Sequence, residues 1–343
     1  MPSPAPPTRF LPNDIFPSVD IGTCSSPLIK PSFGSTLQVP SQRLQGKVTS
    51  RPWSSVIYWK ELHCVQPVGS GGFGSVYKAK YLGRTVALKK VKKCAKNELA
   101  SRQSFWAELN AAHLRHRNIV RVIAATTCMP SDFGDESSIG AILMEYVGSR
   151  NLQQMIYGCA EETLEPGWWL SHSLDIARGL HFLHSHLIVH LDIKPANVLV
   201  SGEGVCKIAD FGCSVQLESK RQASDVVPLS RAGGTYTHTA PELLKGEGVS
   251  AKSDIFSFGI TLWQLMTREQ PYAGDRQHVL YAVVAHHLRP KVEHQAAFQS
   301  EPGTLCKTLL SRCWAAQAST RFSAQELIVQ LENLRTNIGL GKI

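Results

Sequence analysis

A change in hydrophobic periodicity along the chain constrains its fold more than any other feature of the sequence. Residues 64–90 contain short alternating runs broken by glycine, namely Val65–Val68, Ser75–Lys80 and Thr85–Lys90. This pattern is typical of a meander of antiparallel strands. The apolar run Ala141–Tyr146 predicts a buried strand, and helical spacing dominates beyond it. We therefore expect an α+β fold in which a small β-rich lobe precedes a larger α-helical lobe, with a cleft between them.

Four segments carry the spacing of helices. Ser104–Arg115 lacks glycine and proline, and Ser253–Met266 is predicted to be a further helix. One apolar stripe falls at i, i+4, i+7 and i+11, which places its members on one helix face; it consists of Ile176, Leu180, Leu183 and Leu187. The last helix is predicted over Ser323–Leu334, because Ser323 can cap it and Glu326 follows three residues later.

The first part of the chain differs from the rest in composition. Residues 1–52 hold ten of the 19 prolines, interspersed with serines. Proline fixes φ and lacks an amide hydrogen, and such a stretch has little apolar surface to bury. We therefore expect a disordered tail over residues 1–55, the β-rich lobe over residues 56–147 and the helical lobe over residues 148–338.

Composition and charge argue against several classes of partner. Hydrophobic residues make up 43% of the chain, which is enough for a packed core. The 36 basic and 27 acidic side chains give a net charge of +9. Because the basic residues are scattered and match no nucleic-acid-binding module, we expect no nucleic acid partner. No apolar run approaches the roughly 18 residues that span a bilayer, so we expect no membrane contact.

The cysteines and histidines indicate a reducing compartment and no zinc site. The nine cysteines form no Cys-x-x-Cys pair, and no secretory signal precedes them, so we expect reduced thiols and a cytoplasmic location. Four histidines lie close together in sequence, but neither cysteines at zinc spacing nor an H-E-x-x-H pattern accompanies them; they are His181, His184, His186 and His190.

A glycine-rich segment, Gly69–Val76, lies between the first two predicted strands and reads Gly-Ser-Gly-Gly-Phe-Gly-Ser-Val. Without Cβ atoms, the backbone of such a loop can approach a polyphosphate and point amide hydrogens at it. Taken alone, the pattern also fits a glycine-rich hairpin turn or a dinucleotide fingerprint. The dinucleotide interpretation requires a helix after the turn, whereas here a strand follows, with Val76 two residues past the last glycine.

A lysine and a glutamate downstream of this loop are candidates for a buried ion pair. Val86-Ala87-Leu88-Lys89 ends a strand with a lysine among apolar neighbours, and Glu108 lies among apolar residues on the next predicted helix. In most proteins a strand lysine is a solvated edge charge and a helical glutamate is a surface residue. The functional alternative gives Lys89 the α- and β-phosphates of a nucleotide, with Glu108 as its partner.

Three further motifs complete a recognisable set. They are His190-Leu191-Asp192-Ile193-Lys194-Pro195-Ala196-Asn197, Asp210-Phe211-Gly212 and Ala240-Pro241-Glu242. With the glycine loop and the strand lysine, they have the order and spacing of eukaryotic protein kinases, which the chain resembles over about residues 60–338. The resemblance implies a two-lobed protein-kinase-like fold, with N-lobe and hinge over residues 56–147 and C-lobe over residues 148–338. It also implies phosphoryl transfer from ATP with Mg²⁺.

The resemblance implies a role for each motif residue. Asp192 would accept the proton of the substrate hydroxyl, and Lys194 would add positive charge near the γ-phosphate. Asn197, the third residue of the catalytic set, would hold Mg²⁺ together with Asp210 through hard oxygen ligands. Val76, Ala87 and Leu199 would enclose the adenine, with Met144 behind it and the hinge at Glu145–Val147. The full set implied to bind ATP is Val68, Gly69, Ser70, Gly71, Gly72, Phe73, Gly74, Ser75, Val76, Ala87, Lys89, Glu108, Met144, Glu145, Val147 and Leu199.

Supporting roles follow from the same resemblance. Asp254 would brace the catalytic loop, and Arg321 would pair with Glu242. Thr235 would orient its loop through Asp192 and Lys194, and Lys194 itself indicates serine/threonine rather than tyrosine specificity.

Three positions depart from the usual kinase pattern. Leu191 replaces the arginine that receives an activation-segment phosphate, so we expect activity that does not depend strongly on such phosphorylation. Asn151 stands where kinases that select basic peptides often carry glutamate, which argues against a requirement for arginine upstream of the target. His238 replaces a common tyrosine, which favours a folded protein as substrate.

Several segments narrow the resemblance to one germ-cell branch of these kinases. They include Met1–Pro4, Ser104–Asn110, Gly233–His238 and Tyr281–Ala285. This likeness implies a monomeric cytosolic kinase whose protein substrate is a MAP kinase kinase, acting in oocyte maturation and metaphase II arrest. Ser3-Pro4 is a minimal proline-directed site, so we expect feedback phosphorylation of Ser3. The alternative is a pseudokinase-like ATP-binding scaffold on the same fold, although such proteins usually lack one of the residues matched by Lys89, Asp192 and Asp210.

Overall fold

The computed structural model describes most of the chain beyond the proline-rich segment. Its described residues are 54, 56–71, 74–93, 98–131, 133, 138–158, 165–217, 235–293 and 295–340. The predicted tail, apart from Ser54, lies outside them, and so does Ser3. Ser54 pairs with Ala124 in a short parallel bridge. The predicted domain boundaries at residues 55, 147 and 338 stay predictions.

The β-rich part is one five-stranded antiparallel sheet. Its strands are β1 (Leu62–Gly71), β2 (Gly74–Tyr81), β3 (Arg84–Lys92), β4 (Val122–Thr126) and β5 (Ser138–Glu145), in the order β1-β2-β3-β5-β4. The strands predicted from alternation in residues 64–90 are confirmed, as is the buried strand at Ala141–Tyr146, whereas β4 was not predicted. Leu82 and Gly83 join β2 to β3 with φ of 48° and 74°, the left-handed pair that a two-residue hairpin with the right twist requires.

One helix packs against this sheet. Helix α1 spans Glu98–Asn110, so the prediction of Ser104–Arg115 was wrong at both ends. The chain leaves the helix after Asn110 through tight turns, in which the amide of Ala112 donates to Leu109 and that of Leu114 to Ala111. Asparagine is a poor helix former, and these hydrogen bonds between residues three apart end the helix. The apolar side chains of the turns still remain buried.

The remainder of the chain is mostly helical. Its helices are α2 (Leu152–Gly158), α3 (Pro166–Ser185), α4 (Pro241–Leu244), α5 (Ala251–Thr267), α6 (Arg276–Ala285), α7 (Glu301–Cys313) and α8 (Ala324–Asn337). Short strands β6 (Arg150–Asn151), β8 (Val198–Val200) and β9 (Cys206–Ile208) form one small sheet, and β7 (Ile188–Val189) pairs with β10 (Val215–Gln216). The predicted α+β class, β-rich first and helical afterwards, is confirmed.

Helix α5 is the centre of the helical part. Nearly all of its residues are buried, including Phe256, Phe258 and Trp263, as expected for a helix that is packed on all sides. The helices predicted at Ser253–Met266 and Ser323–Leu334 are confirmed as α5 and α8. At the start of α8 the Ser323 hydroxyl accepts from the Glu326 amide at 3.2 Å, and the Glu326 carboxylate accepts from the Ser323 amide at 2.7 Å, which completes the predicted capping box.

The leucine stripe of α3 is shorter than predicted. Ile176, Leu180 and Leu183 are buried on one face, but the helix ends at Ser185. Leu187 lies beyond it with a φ of 61°, so its predicted position on the helix face was wrong. The left-handed turn redirects the chain into β7 and from there to the catalytic loop. Among the helices that the structure describes, none combines the length and apolarity needed to cross a bilayer.

Candidate active site

Lys89 and Glu108 form a buried ion pair that also includes Asp210. The Lys89 ammonium lies 2.6 Å from the Glu108 carboxylate and 2.9 Å from that of Asp210. Strand β3 positions Lys89 opposite Val76 of β2, and α1 brings Glu108 over the sheet. The predicted pairing of Lys89 with Glu108 is therefore present, and the alternative of a solvated edge lysine is excluded because only 7% of Lys89 is exposed.

The charges in this cluster act in both directions, because burial raises the pKa of the Glu108 carboxyl and Asp210 adds to this effect, although Lys89 opposes it. Burial disfavours the ammonium ion, but the carboxylates of Glu108 and Asp210 outweigh this effect and raise the pKa of Lys89. Burial likewise opposes ionisation of Asp210, yet Lys89 holds the pKa of that carboxyl below its usual value. One cation facing two carboxylates leaves an excess of negative charge, which suits a further cation beside Asp210.

The catalytic loop forms a second cluster around Asp192. Lys194 Nζ and Asn197 Nδ2 each donate to the Asp192 carboxylate at 2.8 Å. Thr235 closes the cluster from the chain beyond the loop, because its amide donates to Asp192 at 3.0 Å and its hydroxyl accepts from Lys194 at 2.6 Å. The contacts predicted for Thr235 are thus present, and Asp192 is held by three neighbours in one orientation.

Asp254 fixes the backbone that carries Asp192. Its carboxylate is fully buried and accepts from the amides of His190 and Leu191 at 2.9 and 2.8 Å, and from His184 Nε2 at 2.8 Å. The predicted brace is present. His184 and His190, two of the four clustered histidines, therefore serve structural hydrogen bonds, since His190 Nε2 also lies 3.1 Å from the carbonyl oxygen of Ala209.

A second buried ion pair supports the helical part beneath the site. Arg321 donates from Nη1 and Nη2 to the two carboxylate oxygens of Glu242, each at 2.7 Å. Two parallel bonds of this kind are short and directional. The pair predicted from the sequence is present, and it joins α4 to the segment before α8.

The structure describes the glycine-rich loop except at residues 72 and 73. A Cβ atom at Gly74 would collide with the carbonyl oxygen of Lys90, and its φ is 151°, so this position requires glycine. The hydroxyls of Ser70 and Ser75 lie 3.1 Å apart across the β1–β2 hairpin, and Val68 is exposed. Gly72 and Phe73 lie outside the described residues.

Of the residues predicted to enclose an adenine, Ala87, Leu199 and Met144 lie together, whereas Val76 lies on β2 opposite Lys89. Ala87 and Met144 are directly opposed across β3 and β5, and Ala87, Val147 and Leu199 pack against the apolar cluster that contains Met144. The carboxylate of Glu145, at the end of β5, is already engaged, because it accepts from Lys207 Nζ at 3.0 Å and from the Arg121 amide at 2.9 Å.

Several contacts at the site have no sequence signal. The Lys207–Glu145 ion pair joins β9 to the end of β5, and a Cβ atom at Gly212 would collide with the Ser104 hydroxyl of α1. Each pair is distant in sequence and follows no regular spacing. The ring of Phe211 lies against that of His190, with centroids 4.9 Å apart, which packs the segment after β9 onto the catalytic loop.

The oxygen donors fit a magnesium ion. Asn197 donates to Asp192 through Nδ2, so its Oδ1 takes no part in that bond. Asp210 binds Lys89 through Oδ1, so its second carboxylate oxygen can face a metal ion. In the part of the chain that the structure describes, no three His, Cys, Asp or Glu side chains are grouped as a metal site. Mg²⁺ is usually bound by one or two carboxylates with phosphates and waters, so this small donor set is of the right kind.

Comparison with known proteins gives one family. The protein kinase domain matches residues 62–331. The chain is similar to the serine/threonine-protein kinase mos of Gallus gallus, 49% identical over 98% of this chain and 100% of the relative. It is also similar to the proto-oncogene serine/threonine-protein kinase mos of Sus scrofa (49% identical, 99% and 100%) and of Mus musculus (47% identical, 99% and 100%). The narrower likeness that the sequence segments indicate is to these mos kinases, and it is confirmed.

Proposed function

The chain belongs to the protein kinase family as a mos-like serine/threonine protein kinase, and from this premise we propose how its residues carry out the transfer. Members of this family use ATP and Mg²⁺ and act on a protein substrate. The observation that carries the proposal is the Asp192 carboxylate held between Lys194 and Asn197, with both donors at 2.8 Å.

In the proposed reaction the oxygen of a serine or threonine hydroxyl attacks the γ-phosphorus of ATP. The bond from the γ-phosphorus to the β–γ bridging oxygen breaks, ADP leaves, and Asp192 receives the hydroxyl proton. Lys194 offsets negative charge on the transferring group, and Lys89 holds the phosphates near Asp210. A magnesium ion held by Asn197 and Asp210 supplies further charge neutralisation when it is bound. Such electrostatic stabilisation and positioning account for most of the catalysis of phosphoryl transfer.

The proposed substrate is a MAP kinase kinase, and the proposed setting is oocyte maturation and metaphase II arrest in the cytoplasm, with the kinase acting as a monomer. The likeness to mos kinases over nearly the whole chain supports this proposal. The test is a transfer assay with purified, catalytically inactive MAP kinase kinase, labelled ATP and mapping of the phosphorylated residues. The Asp192→Asn variant is the matched control. Phosphate on serine or threonine of the substrate, lost in the variant, is expected; ATP binding without transfer to any protein would support a scaffold instead.

We further propose that activity does not depend strongly on activation-segment phosphorylation. Leu191, which stands in place of an arginine, is buried with a φ of 65°. Part of the segment after β9 is held by backbone hydrogen bonds that require no phosphate, since β10 pairs with β7 and the Leu217 amide donates to the Leu187 carbonyl at 2.8 Å. Phosphatase treatment of active protein should leave turnover unchanged. A large loss traced to residues 213–239 would contradict the proposal.

Feedback phosphorylation of Ser3 is the last proposal from the sequence. The motif Ser3-Pro4 fits a proline-directed kinase, and the modification is proposed to change the turnover of the protein. A Ser3→Ala protein should differ from the unsubstituted protein in half-life in cells. An unchanged half-life would remove the proposal.

A further inference from the structure

A chain of hydrogen bonds begins beside the catalytic loop, passes through a buried bond between His238 and Gln264, and reaches Tyr157 of α2 and the Glu269 carbonyl. The His238 ring is 5% exposed. Its Nδ1 lies 2.9 Å from the Thr237 hydroxyl and its Nε2 lies 2.7 Å from Gln264 Oε1. Gln264 Nε2 then reaches the Tyr157 hydroxyl at 2.7 Å, and that hydroxyl reaches the carbonyl oxygen of Glu269 at 3.0 Å.

The direction of every bond follows from the last one. The Glu269 carbonyl can only accept, so the Tyr157 hydroxyl hydrogen points to it and the Tyr157 oxygen must accept from Gln264 Nε2. The amide oxygen of Gln264 therefore faces His238 and accepts from His238 Nε2. In a neutral ring Nδ1 is then bare and accepts from Thr237. We define this set of Thr237, His238, Gln264, Tyr157 and the Glu269 carbonyl as the His238 relay.

One end of the relay supports the turn that contacts Asp192. The His238 amide donates to the Thr235 carbonyl at 2.8 Å, and the Thr239 hydroxyl donates to the same oxygen at 3.1 Å. The Ser257 hydroxyl of α5 donates to the His238 carbonyl at 2.8 Å. The turn 235–239 is thus anchored on α5, with Thr235 bound to Asp192 and Lys194 at its start.

The other end of the relay lies on α2. This helix begins directly after Asn151, whose side chain accepts from the Gln154 amide at 2.9 Å. Asn151 is also the position at which the sequence indicated a part in selecting the substrate. The relay consequently joins the turn 235–239, which contacts Asp192, to α2 through Gln264 of α5.

We propose that His238 is a positioning residue for the protein substrate, and that its relay through Gln264 and Tyr157 holds the turn 235–239 in register with α2. The proposal rests on the proposed function, since it concerns binding of the protein that accepts the phosphate. Loss of one buried bond leaves its partner unsatisfied. If that cost falls on substrate binding, KM for the protein substrate rises about tenfold. The nucleotide contacts lie on other elements, so KM for ATP stays within about twofold.

Three substitutions at one position separate the two bonds of the ring. His238→Leu removes both, His238→Asn keeps an acceptor toward Thr237, and His238→Gln keeps a donor toward Gln264. The leucine variant should show the full rise in KM for purified MAP kinase kinase, and the glutamine variant should recover part of it. Gln264→Leu should raise the same KM, and the double variant with His238→Leu should be no worse than the larger single effect, because both break one chain.

Thr261→Val is the matched control. Thr261 is a buried polar residue of the same helix, and its hydroxyl donates only to the Ser257 carbonyl at 3.0 Å. This variant should leave both KM values unchanged. Thermal unfolding identifies folded variants, and His238→Gln serves if His238→Leu does not fold.

Two results separate this inference from the proposed function. The inference alone is overturned if the unsubstituted protein transfers phosphate and folded His238 variants keep an unchanged KM for the protein substrate. It is also overturned if Thr261→Val raises that KM equally, or if KM for ATP rises in parallel in the His238 variants. Absence of transfer by the unsubstituted protein overturns the proposed function, and the inference with it.

Discussion

Removal of one partner of the Arg321–Glu242 pair is expected to destabilise the helical part strongly. Arg321 is 1% exposed and Glu242 is 7% exposed, and both guanidinium bonds are 2.7 Å long. Arg321→Met keeps most of the side-chain volume but leaves the Glu242 carboxylate buried without its cation. Breaking a buried pair from one side costs about 3–5 kcal/mol, so the free energy of unfolding in urea should fall by that amount. Tryptophan fluorescence follows the transition.

The double variant Arg321→Met/Glu242→Gln distinguishes the uncompensated charge from lost packing. Replacing the stranded carboxylate by an amide should recover at least about 1 kcal/mol relative to Arg321→Met, within the range of couplings between contacting residues. Recovery should be incomplete, because Arg321 also donates to the carbonyls of Ala315 and Lys252 at 2.9 and 3.0 Å. Strictly additive losses in the double variant would refute the argument.

Loss of Arg321 is expected to reverse the direction in which Glu242 makes the free energy of unfolding depend on pH. Burial raises the pKa of Glu242, but the bond to Arg321 outweighs burial and the net pKa is lowered below 4.5. A lowered pKa contributes stability that is present above 4.5 and is lost as pH falls through the folded pKa. In Arg321→Met burial would dominate and place the pKa above 4.5, so the destabilisation at pH 7 should shrink at pH 5. A gap that stays constant or widens would contradict this reasoning.

Three further outcomes are expected. Asp192→Asn and Lys89→Arg should each lower turnover by roughly two orders of magnitude or more while the fold stays intact; near-native rates in both would contradict the site assignment. Ser323→Ala should cost about 1 kcal/mol in urea unfolding, because it removes the cap of α8. Burial lowers the pKa of His238 to about 4, with Asp192 and Lys194 acting in opposite directions. In the unfolded chain His238 therefore takes up a proton below its ordinary pKa of about 6.5, whereas in the folded protein it stays neutral. The free energy of unfolding should fall by about 1.4 kcal/mol between pH 8 and pH 5.5 for this reason, and His238→Gln should lack this decrease.

Much of the site could be predicted because its chemistry requires particular residue types in a fixed order. Lys89 and Asp210 are separated by 121 positions and still meet at 2.9 Å, as the motif order implied. The sequence indicated glycine at position 74 for backbone approach to a phosphate, whereas the structure adds a second reason, because a Cβ atom there would collide with the carbonyl oxygen of Lys90. The ends of α1 and α3 could not be predicted in this way, because an apolar stripe at helical spacing does not show where a left-handed residue or a tightened turn ends the helix.

Strand β4 and the His238 relay were missed for a related reason. The β4 segment Val122–Thr126 is short and contains two alanines, so it shows neither alternation nor strong strand propensity. It becomes a strand only because β5 lies beside it. The partners of His238 lie 26 residues away in α5 and further away in α2, and no spacing rule connects them. Local patterns predicted local structure, whereas these contacts are set by tertiary packing.

Backbone conformation at the two acidic residues shows why motif and fold are both needed. Asp210 has a φ of 62° and Leu191, which precedes Asp192, has a φ of 65°. A residue other than glycine in this region costs about 1–3 kcal/mol and persists only where its surroundings enforce it. Asp254 holds the backbone of Leu191 in this conformation by accepting a hydrogen bond of 2.8 Å from its amide, and Lys89 holds Asp210 through its carboxylate. The motifs specify which carboxylates are present, but groups 63 and 121 positions away in sequence hold them in the strained geometry in which they face one site.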